Sequence, residues 1–335
     1  MTEENKTPPP NPIVVEYAGS IAAKGDFVPG RSLWGDARRR IFRDKWAMVC
    51  LGIIVLYSLI ALGGLGYEMA AEADNNDSIK TFEETSDYEN TNRSPSLEAP
   101  RFWLGTDWAG KSVFYKTLLG VKVSLTVGFM ANVIAIPLGM ILGALAGFYG
   151  KWVDTGIVWL FSTMASIPGI MLLIALRYAF QDAPPVLGMD LGGVAGVCIA
   201  LGVVSWIRTC RLVRAEVMKI RELDYVIAAR AIGTPKIIIM LRHVIPNVLH
   251  LAIINFSLGF VWAVKSEVIL SYLGLGVPVG VPSWGNMINA ARTDLFMGRW
   301  WELTAAVSAM FFLVLALNIL GDRLRDALDP KLRNV

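Results

Sequence analysis

Charge is what this sequence has least of. Asp, Glu, Lys and Arg supply 18% of its 335 residues, against roughly a quarter in ordinary soluble domains. The 31 basic and 28 acidic residues nearly cancel, leaving a net charge of +3. There is therefore no dense cationic stripe to neutralise nucleic-acid phosphates, and no nucleic-acid partner is expected. Histidine is scarcer still: His243 and His250 are the only two, and neither sits in a Cys/His ligand pattern, which argues against a zinc site. The three cysteines, Cys50, Cys198 and Cys210, fall in or beside apolar stretches and do not form a disulfide framework. The first residues carry Pro8, Pro9, Pro10 and Pro12 and no apolar core, so no cleaved leader is expected. What fills the space is apolar: 54% of the chain. That balance excludes disordered and collagen-like chains and points to an integral membrane protein.

A bilayer core about 30 Å thick is crossed by about 20 apolar residues in a helix, because backbone polar groups find no water there. Six stretches fit: 46–66, 123–149, 155–176, 191–207, 244–264 and 303–321. Five contain no Asp, Glu, Lys, Arg or His, the fifth carries only His250, and the second contains Pro137, where a kink or steep tilt is expected. A seventh uncharged stretch, 268–291, holds Gly274, Gly276, Pro278, Gly280, Pro282 and Gly285. A continuous helix is costly there, so it reads as a re-entrant or outer element. The expected fold class is all-α with six transmembrane helices.

Basic residues orient the spans. They crowd before the first span (Arg38, Arg39, Arg40, Arg43, Lys45), between the fourth and fifth (eight from Arg208 to Arg242), and after the last (Arg323, Arg325, Lys331, Arg333). Six spans put all three groups, and both termini, in the cytoplasm. Lys111, Lys116 and Lys122 then lie outside, beside a loop rich in Asp and Glu, and Trp103, Trp108, Trp284, Trp300 and Trp301 fit an outer aromatic belt. The organisation expected is a cytoplasmic tail over 1–45, a first span over 46–66, an outer loop over 67–122, a membrane core over 123–321 and a cytoplasmic tail over 322–335. Leu33, Trp34, Ala37 and Ile41 have the spacing of an interfacial helix. Residues 72–99 have the composition of a flexible or partner-covered loop.

Residues Gly105 to Ser112 match the P-loop expression G-x-x-x-x-G-K-[ST]. Its chemistry needs a strand before and a helix after within an α/β domain. Here an acidic loop precedes it, a membrane span follows, and Trp108 stands where bare backbone should approach phosphate. It reads as a chance match.

The segment 208–243 is more informative. Asp224 can cap a short helix through Ile232, Gly233 suits a left-handed stop, and Thr234 and Pro235 can serve as N-cap and first residue of a second helix. Helix, sharp turn and helix would make an amphipathic knob on the cytoplasmic face, fit for a partner's groove or a plain solvated connection. The run Tyr225-Val-x-Ala228-Ala229-Arg230-Ala231-x-Gly233, with Arg242-His243-x-x-Pro246-Asn247, resembles the coupling loop of ABC importer permeases. The nearest resemblance is to the second permease subunit of the dipeptide/oligopeptide/nickel family. Leu104-Gly105-Thr106-Asp107-x-x-Gly110, Ser271-Tyr-Leu-Gly274-Leu-Gly276 with Pro282-Ser-Trp284-Gly285, and Asn318-x-x-Gly321-Asp322-x-x-Arg325-Asp326-x-Leu328-Asp329-Pro330 extend it over roughly 32–333. Ile227 stands where the family often has Glu, and Ser112 follows Lys111 where the family usually has Asp.

The resemblance implies the type I ABC importer permease fold in a bacterial inner membrane, and a subunit with no chemistry of its own. A homologous permease would complete a heterodimeric pathway for peptides or similar small solutes. Two cytoplasmic ATPases would bind ATP and Mg, which this chain would not, and an external solute-binding protein would deliver cargo. Asp224, Tyr225, Ala228, Ala229, Arg230, Gly233, Thr234, Pro235, Arg242, His243 and Pro246 would contact the ATPase. Lys265 and Glu267, at the outer end of the fifth span, would mark a gate or pathway if buried; snorkelling to the outer interface is the expected alternative. Arg208, Arg211 and Arg214 suit lipid headgroups or the ATPase, and Asn132, Asn255 and Asn318 suit hydrogen bonds between helices. A secondary transporter would more often carry ionisable residues within its spans. A membrane enzyme would need a catalytic constellation that the spans lack.

Overall fold

Long apolar runs become long helices. The computed structural model describes residues 33–73, 85–185, 188–278 and 280–328. The first 30 residues, most of the acidic run and Asp329-Pro330 lie outside them. Helices α1 (Leu33–Arg43), α2 (Lys45–Ala73), α3 (Val113–Tyr149), α4 (Lys151–Ala165), α5 (Gly169–Gln181) and α6 (Val194–Ile220) come first. They are followed by α7 (Asp224–Ala231), α8 (Lys236–Tyr272), α9 (Trp284–Phe296) and α10 (Trp301–Leu328). No strand ladder forms among the described residues. Helices α2, α3, α6, α8 and α10 are each long and apolar enough to cross a membrane.

Helix α3 begins ten residues before the expected span, so the end of the expected outer loop is helical. Its 37 residues reach about 55 Å at 1.5 Å per residue, well beyond a bilayer core, and it continues through Pro137. The expected third span is not one helix. Pro168 has no amide to continue α4 and disfavours helical geometry at Ile167, so α4 and α5 meet at 87°.

Gly139, Gly143 and Gly147 lie on one face of α3. A Cβ at each would sit 2.6–2.7 Å from the carbonyl oxygens of Trp206, Cys210 and Arg214, in that order. Such small-residue stripes let membrane helices approach backbone to backbone. The matching order means that α3 and α6 run parallel. The chain must therefore return across the membrane between Tyr149 and Val194, and the bent pair α4–α5 is the sixth crossing. At one end of the bundle Asp44 caps α2 through the amides of Trp46 and Ala47 (2.9 and 3.4 Å) and pairs with Arg323 (3.1 Å). Helices α2 and α10 thus enter and leave at the same end.

The opposite end is covered by residues 85–112, which are folded; of the stretch 72–99 expected to be flexible or partner-covered, 74–84 lie outside the described residues and 85–99 belong to this folded cap. Most of the cap's acidic side chains are paired. Asp87 pairs with Arg101 and Arg93 with Glu98, while both guanidinium groups stack on Phe102 at 4.3–4.7 Å. Hydrogen bonds from Asn90 and Arg101 hold the Asp87 carboxyl below the usual carboxylate range. Lys116, on α3, bridges Asp107 of this cap (2.9 Å) and Glu302 of α10 (2.6 Å). Trp284 leaves the expected aromatic belt: it is buried among Val113, Val121, Met287 and Leu313 and donates to the Thr117 carbonyl at 3.1 Å. Residues 268–291 do not cross; they finish α8, turn, and start α9.

Candidate functional site

At the end opposite the cap, α7 and the start of α8 form a knob. Leu223, not Asp224, is the N-cap of α7, and Asp224 lies in its first turn, where a carboxylate favours the helix dipole. The other end of α7 closes with paired bonds from Gly233 N to Arg230 O (3.0 Å) and Thr234 N to Ala229 O (3.1 Å). This Schellman geometry requires a left-handed residue, and Gly233 has φ +81°. Pro235, not Thr234, is the N-cap of α8, one position later than expected, and Thr234 makes no side-chain cap. The second helix of the pair is not separate, because it continues into the membrane span. Met240–Val244 widen into a π-turn just before Pro246, which has no amide for the Arg242 carbonyl; such bulges relieve that clash.

One face of the knob is anchored. Val226, Ala229, Ile239, Met240 and Val244 pack with Phe148 of α3 and Val213, Val217 and Ile220 of α6. The rings of Tyr225 and His243 lie 6.3 Å apart, and Asn247 donates to the Tyr225 hydroxyl (3.1 Å) and the His243 carbonyl (2.6 Å). Arg230 stacks over Phe148, and Arg221 donates to the Gly147 carbonyl at 2.9 Å. Asn247, Phe148 and Arg221 were missing from the sequence-derived set; only Asn247 stood in a motif, and the others act through packing. The opposite face is open. Asp224, Tyr225, Ala228, Arg230, Gly233, Pro235, Arg242 and Pro246 are exposed, Thr234 and His243 half-buried, and Ala229 alone of the set is buried. Around them Ile227, Ile237, Ile238 and Leu241 are exposed, and Ile232 is 83% exposed. Aliphatic surface of that kind on a rigid turn marks an interaction site.

The other candidates separate. Lys265 is exposed, whereas Glu267 is wholly buried (0%), accepting from the Ser271 hydroxyl at 2.8 Å. Glu267 therefore does not snorkel: two residues apart on a helix, the side chains take different faces. Arg214 is engaged by Asp154 in a two-pronged pair (2.5 and 2.6 Å). Arg208, Arg211 and Arg325 line a cavity of about 830 Å³ with Asn132, Asn255 and Trp262. Asn132, Asn255 and Asn318 each donate to the carbonyl four residues earlier in their own helix rather than across helices.

The P-loop look-alike holds no phosphate cradle. Its amides are spent internally: Asp107 Oδ1 accepts from Ala109 and Lys111 (2.9 Å each), and Gly110 N donates to the Asp107 carbonyl at 3.0 Å. The Ser112 hydroxyl donates to the Arg101 carbonyl at 2.6 Å. Gly110 is needed because a Cβ there would lie 1.8 Å from the Asp87 carbonyl oxygen. Among the described residues no His, Cys, Asp and Glu cluster is arranged to hold a metal ion.

Comparison with known proteins agrees with this architecture. Residues 135–334 match the family described as binding-protein-dependent transport system inner membrane component. Residues 32–93 match the N-terminal TM domain of oligopeptide transport permease C. The dipeptide transport system permease protein DppC of Alkalihalophilus pseudofirmus is 33% identical over 100% of this chain and 97% of its own. The glutathione transport system permease protein GsiD of Pectobacterium atrosepticum is 33% identical over 91% of this chain and 93% of its own. The oligopeptide transport system permease protein OppC of Bacillus subtilis is 31% identical over 90% and 91%. With six membrane crossings, a folded cap at one end and an anchored helical knob at the other, the chain belongs to the family of inner-membrane permease components of binding-protein-dependent ABC importers.

Proposed function

We propose that this permease forms half of a pathway for short peptides, that a homologous subunit supplies the other half, and that the knob around Gly233 seats in a cytoplasmic ATPase. The observation that carries this reading is the exposed aliphatic surface of Ile227, Ile232, Ile237, Ile238 and Leu241 on a turn whose other face is fixed to α3 and α6. A surface anchored from behind and apolar in front transmits a push rather than absorbing it, which suits rigid-body switching of the helices. ATP and Mg belong to the ATPase subunits, and an external solute-binding protein brings cargo to the capped end. The cavity between Asn132, Asn255, Arg208 and Arg211 lines this chain's half of the pathway. Peptide cargo is suggested by the dipeptide, oligopeptide and glutathione permeases that the chain is similar to.

Ile232→Asp together with Ile238→Asp places two charges on the proposed contact face. In the complete transporter these changes are expected to reduce ATPase retention on purification at least tenfold and to leave the sister permease bound. Full retention of the ATPases would show that the knob is not their seat.

Orientation follows from charge. Arg39, Arg40 and Arg43, the basic residues of 208–242, and Arg323 and Arg325 share the knob end, which the positive-inside tendency assigns to the cytoplasm. In a chain freed of Cys50, Cys198 and Cys210, a cysteine at Ser86 is expected to react with an impermeant thiol reagent in whole cells, and one at Ser20 to stay silent. The reverse pattern would invert the topology.

A further inference from the structure

Arg177 was invisible as a site residue, lying one position past an expected span. It is 3% exposed and its guanidinium meets four backbone carbonyls. Nε donates to Leu275 (2.8 Å), Nη1 to Leu191 (2.7 Å), and Nη2 to Gly192 (3.0 Å) and Gly276 (3.1 Å). Leu191 and Gly192 lead into α6, and Leu275 and Gly276 follow α8. One side chain of α5 thus ties together the capped-side ends of three membrane elements.

The surroundings make this tie releasable. Among the described residues no carboxylate pairs with Arg177; the nearby Asp190 instead accepts from the Gly192 amide at 2.8 Å. A buried cation whose hydrogen bonds all go to neutral carbonyls keeps part of its desolvation penalty, and entering water would replace the four bonds while hydrating the charge. Lys116, by contrast, has two carboxylate partners. The loop after α8 is also held independently of α5. Asn286 of α9 donates to the carbonyls of Val277, Pro278 and Val281, and the Ser271 hydroxyl accepts from Val277 N at 3.2 Å. Apart from Arg177, helix α5 is seated on the core by apolar contacts of Leu172, Leu173, Ile174, Leu176 and Phe180, which can slide where directional hydrogen bonds cannot. It is separated from α4 by the 87° break at Pro168, while α4 is fixed to α6 through Asp154 and Arg214. Such a break allows α5 to swing without carrying α4.

We propose that Arg177 is the latch of the outer mouth. On the four carbonyls it holds the mouth closed; release of Leu275 and Gly276 frees α5 and lets solute enter from the capped side. This rests on the importer reading above, and Arg177 acts as a positioning residue rather than a solute ligand.

The test uses the complete transporter with its ATPases and binding protein, carrying Arg177→Met or Arg177→Lys. One readout is the reaction of a single cysteine at Leu275 with an impermeant maleimide in an otherwise cysteine-free chain. The other is ATP hydrolysis without binding protein. Labelling is expected to accelerate at least fivefold and receptor-free hydrolysis to rise severalfold, Met exceeding Lys because an ammonium can still hold part of the carbonyl set. Unchanged labelling, or faster labelling with unchanged hydrolysis, in an assembled variant overturns the latch. Failure of both variants to assemble also overturns it, because the contact would then be a permanent brace. If loaded binding protein fails to stimulate hydrolysis in the unsubstituted transporter, the importer reading itself fails, whatever the reactivity at 275.

Discussion

Gly233→Val is expected to cut transport severely while leaving the membrane bundle and its sister permease assembled. At φ +81° a side chain is penalised by about 1–2 kcal/mol, roughly a 5- to 30-fold loss of the correctly aimed knob. The penalty is purely one of backbone conformation, since nothing lies within 4 Å of a Cβ built there. Relief by moving to negative φ would break the bonds from Gly233 N to Arg230 and from Thr234 N to Ala229. Helix α7 would then leave α8 at the wrong angle, and Val226 and Ala229 would lose their seat against α6. Either the ATPases are lost on purification, or hydrolysis no longer responds to loaded binding protein. Gly233→Asn is the control, because asparagine tolerates the left-handed region and is expected to retain most transport. Normal coupled transport by Gly233→Val would remove this turn from the mechanism.

Lys116→Met is expected to have the largest effect on stability. The side chains of Lys116, Asp107 and Glu302 are 12%, 3% and 2% exposed, so Lys116→Met takes the positive charge from between two buried carboxylates. Breaking a buried ion pair from one side costs about 3–5 kcal/mol, and here the cap, α3 and α10 separate together. A large fall in the thermal midpoint of the detergent-solubilised complex, or failure to assemble, is the expected measurement. Glu98→Gln, which removes an exposed pair with Arg93, is expected to change stability by less than about 1 kcal/mol. Combining Lys116→Met with Asp107→Asn and Glu302→Gln removes every charge and is expected to recover much of the loss. If Lys116→Met alone is as stable as Glu98→Gln, the triad does not hold the cap.

The resemblance to the permease family was legible because its motifs are local. Gly233 declared its conformation by standing between a short amphipathic run and Pro235, and the π-turn before Pro246 follows from a missing amide. The coupling role assigned to that turn is a proposal that the Gly233→Val result decides. Side-chain partners were less readable. Glu267 and Lys265 looked equivalent as charges near a membrane boundary, yet one faces α9 and the turn before it and the other faces outward. Asn132, Asn255 and Asn318 satisfy themselves within their own helices, which no spacing rule distinguishes from bonding across an interface.

The sequence by itself determined that the chain is a helical membrane protein, that its apolar runs allow six crossings, and where its basic ends cluster. Each of these depends on the transfer of whole segments between water and hydrocarbon, a property that adds up residue by residue along the chain. Tertiary structure alone decided that α3 and α6 run parallel over Gly139, Gly143 and Gly147, which makes the broken pair α4–α5 a crossing. It also placed Trp284 in the core, gathered four distant carbonyls on Arg177, and filled the P-loop look-alike with its own Asp107. These outcomes depend on which surfaces meet, and a contact between residues a hundred positions apart leaves no period or composition in the sequence from which it could be read.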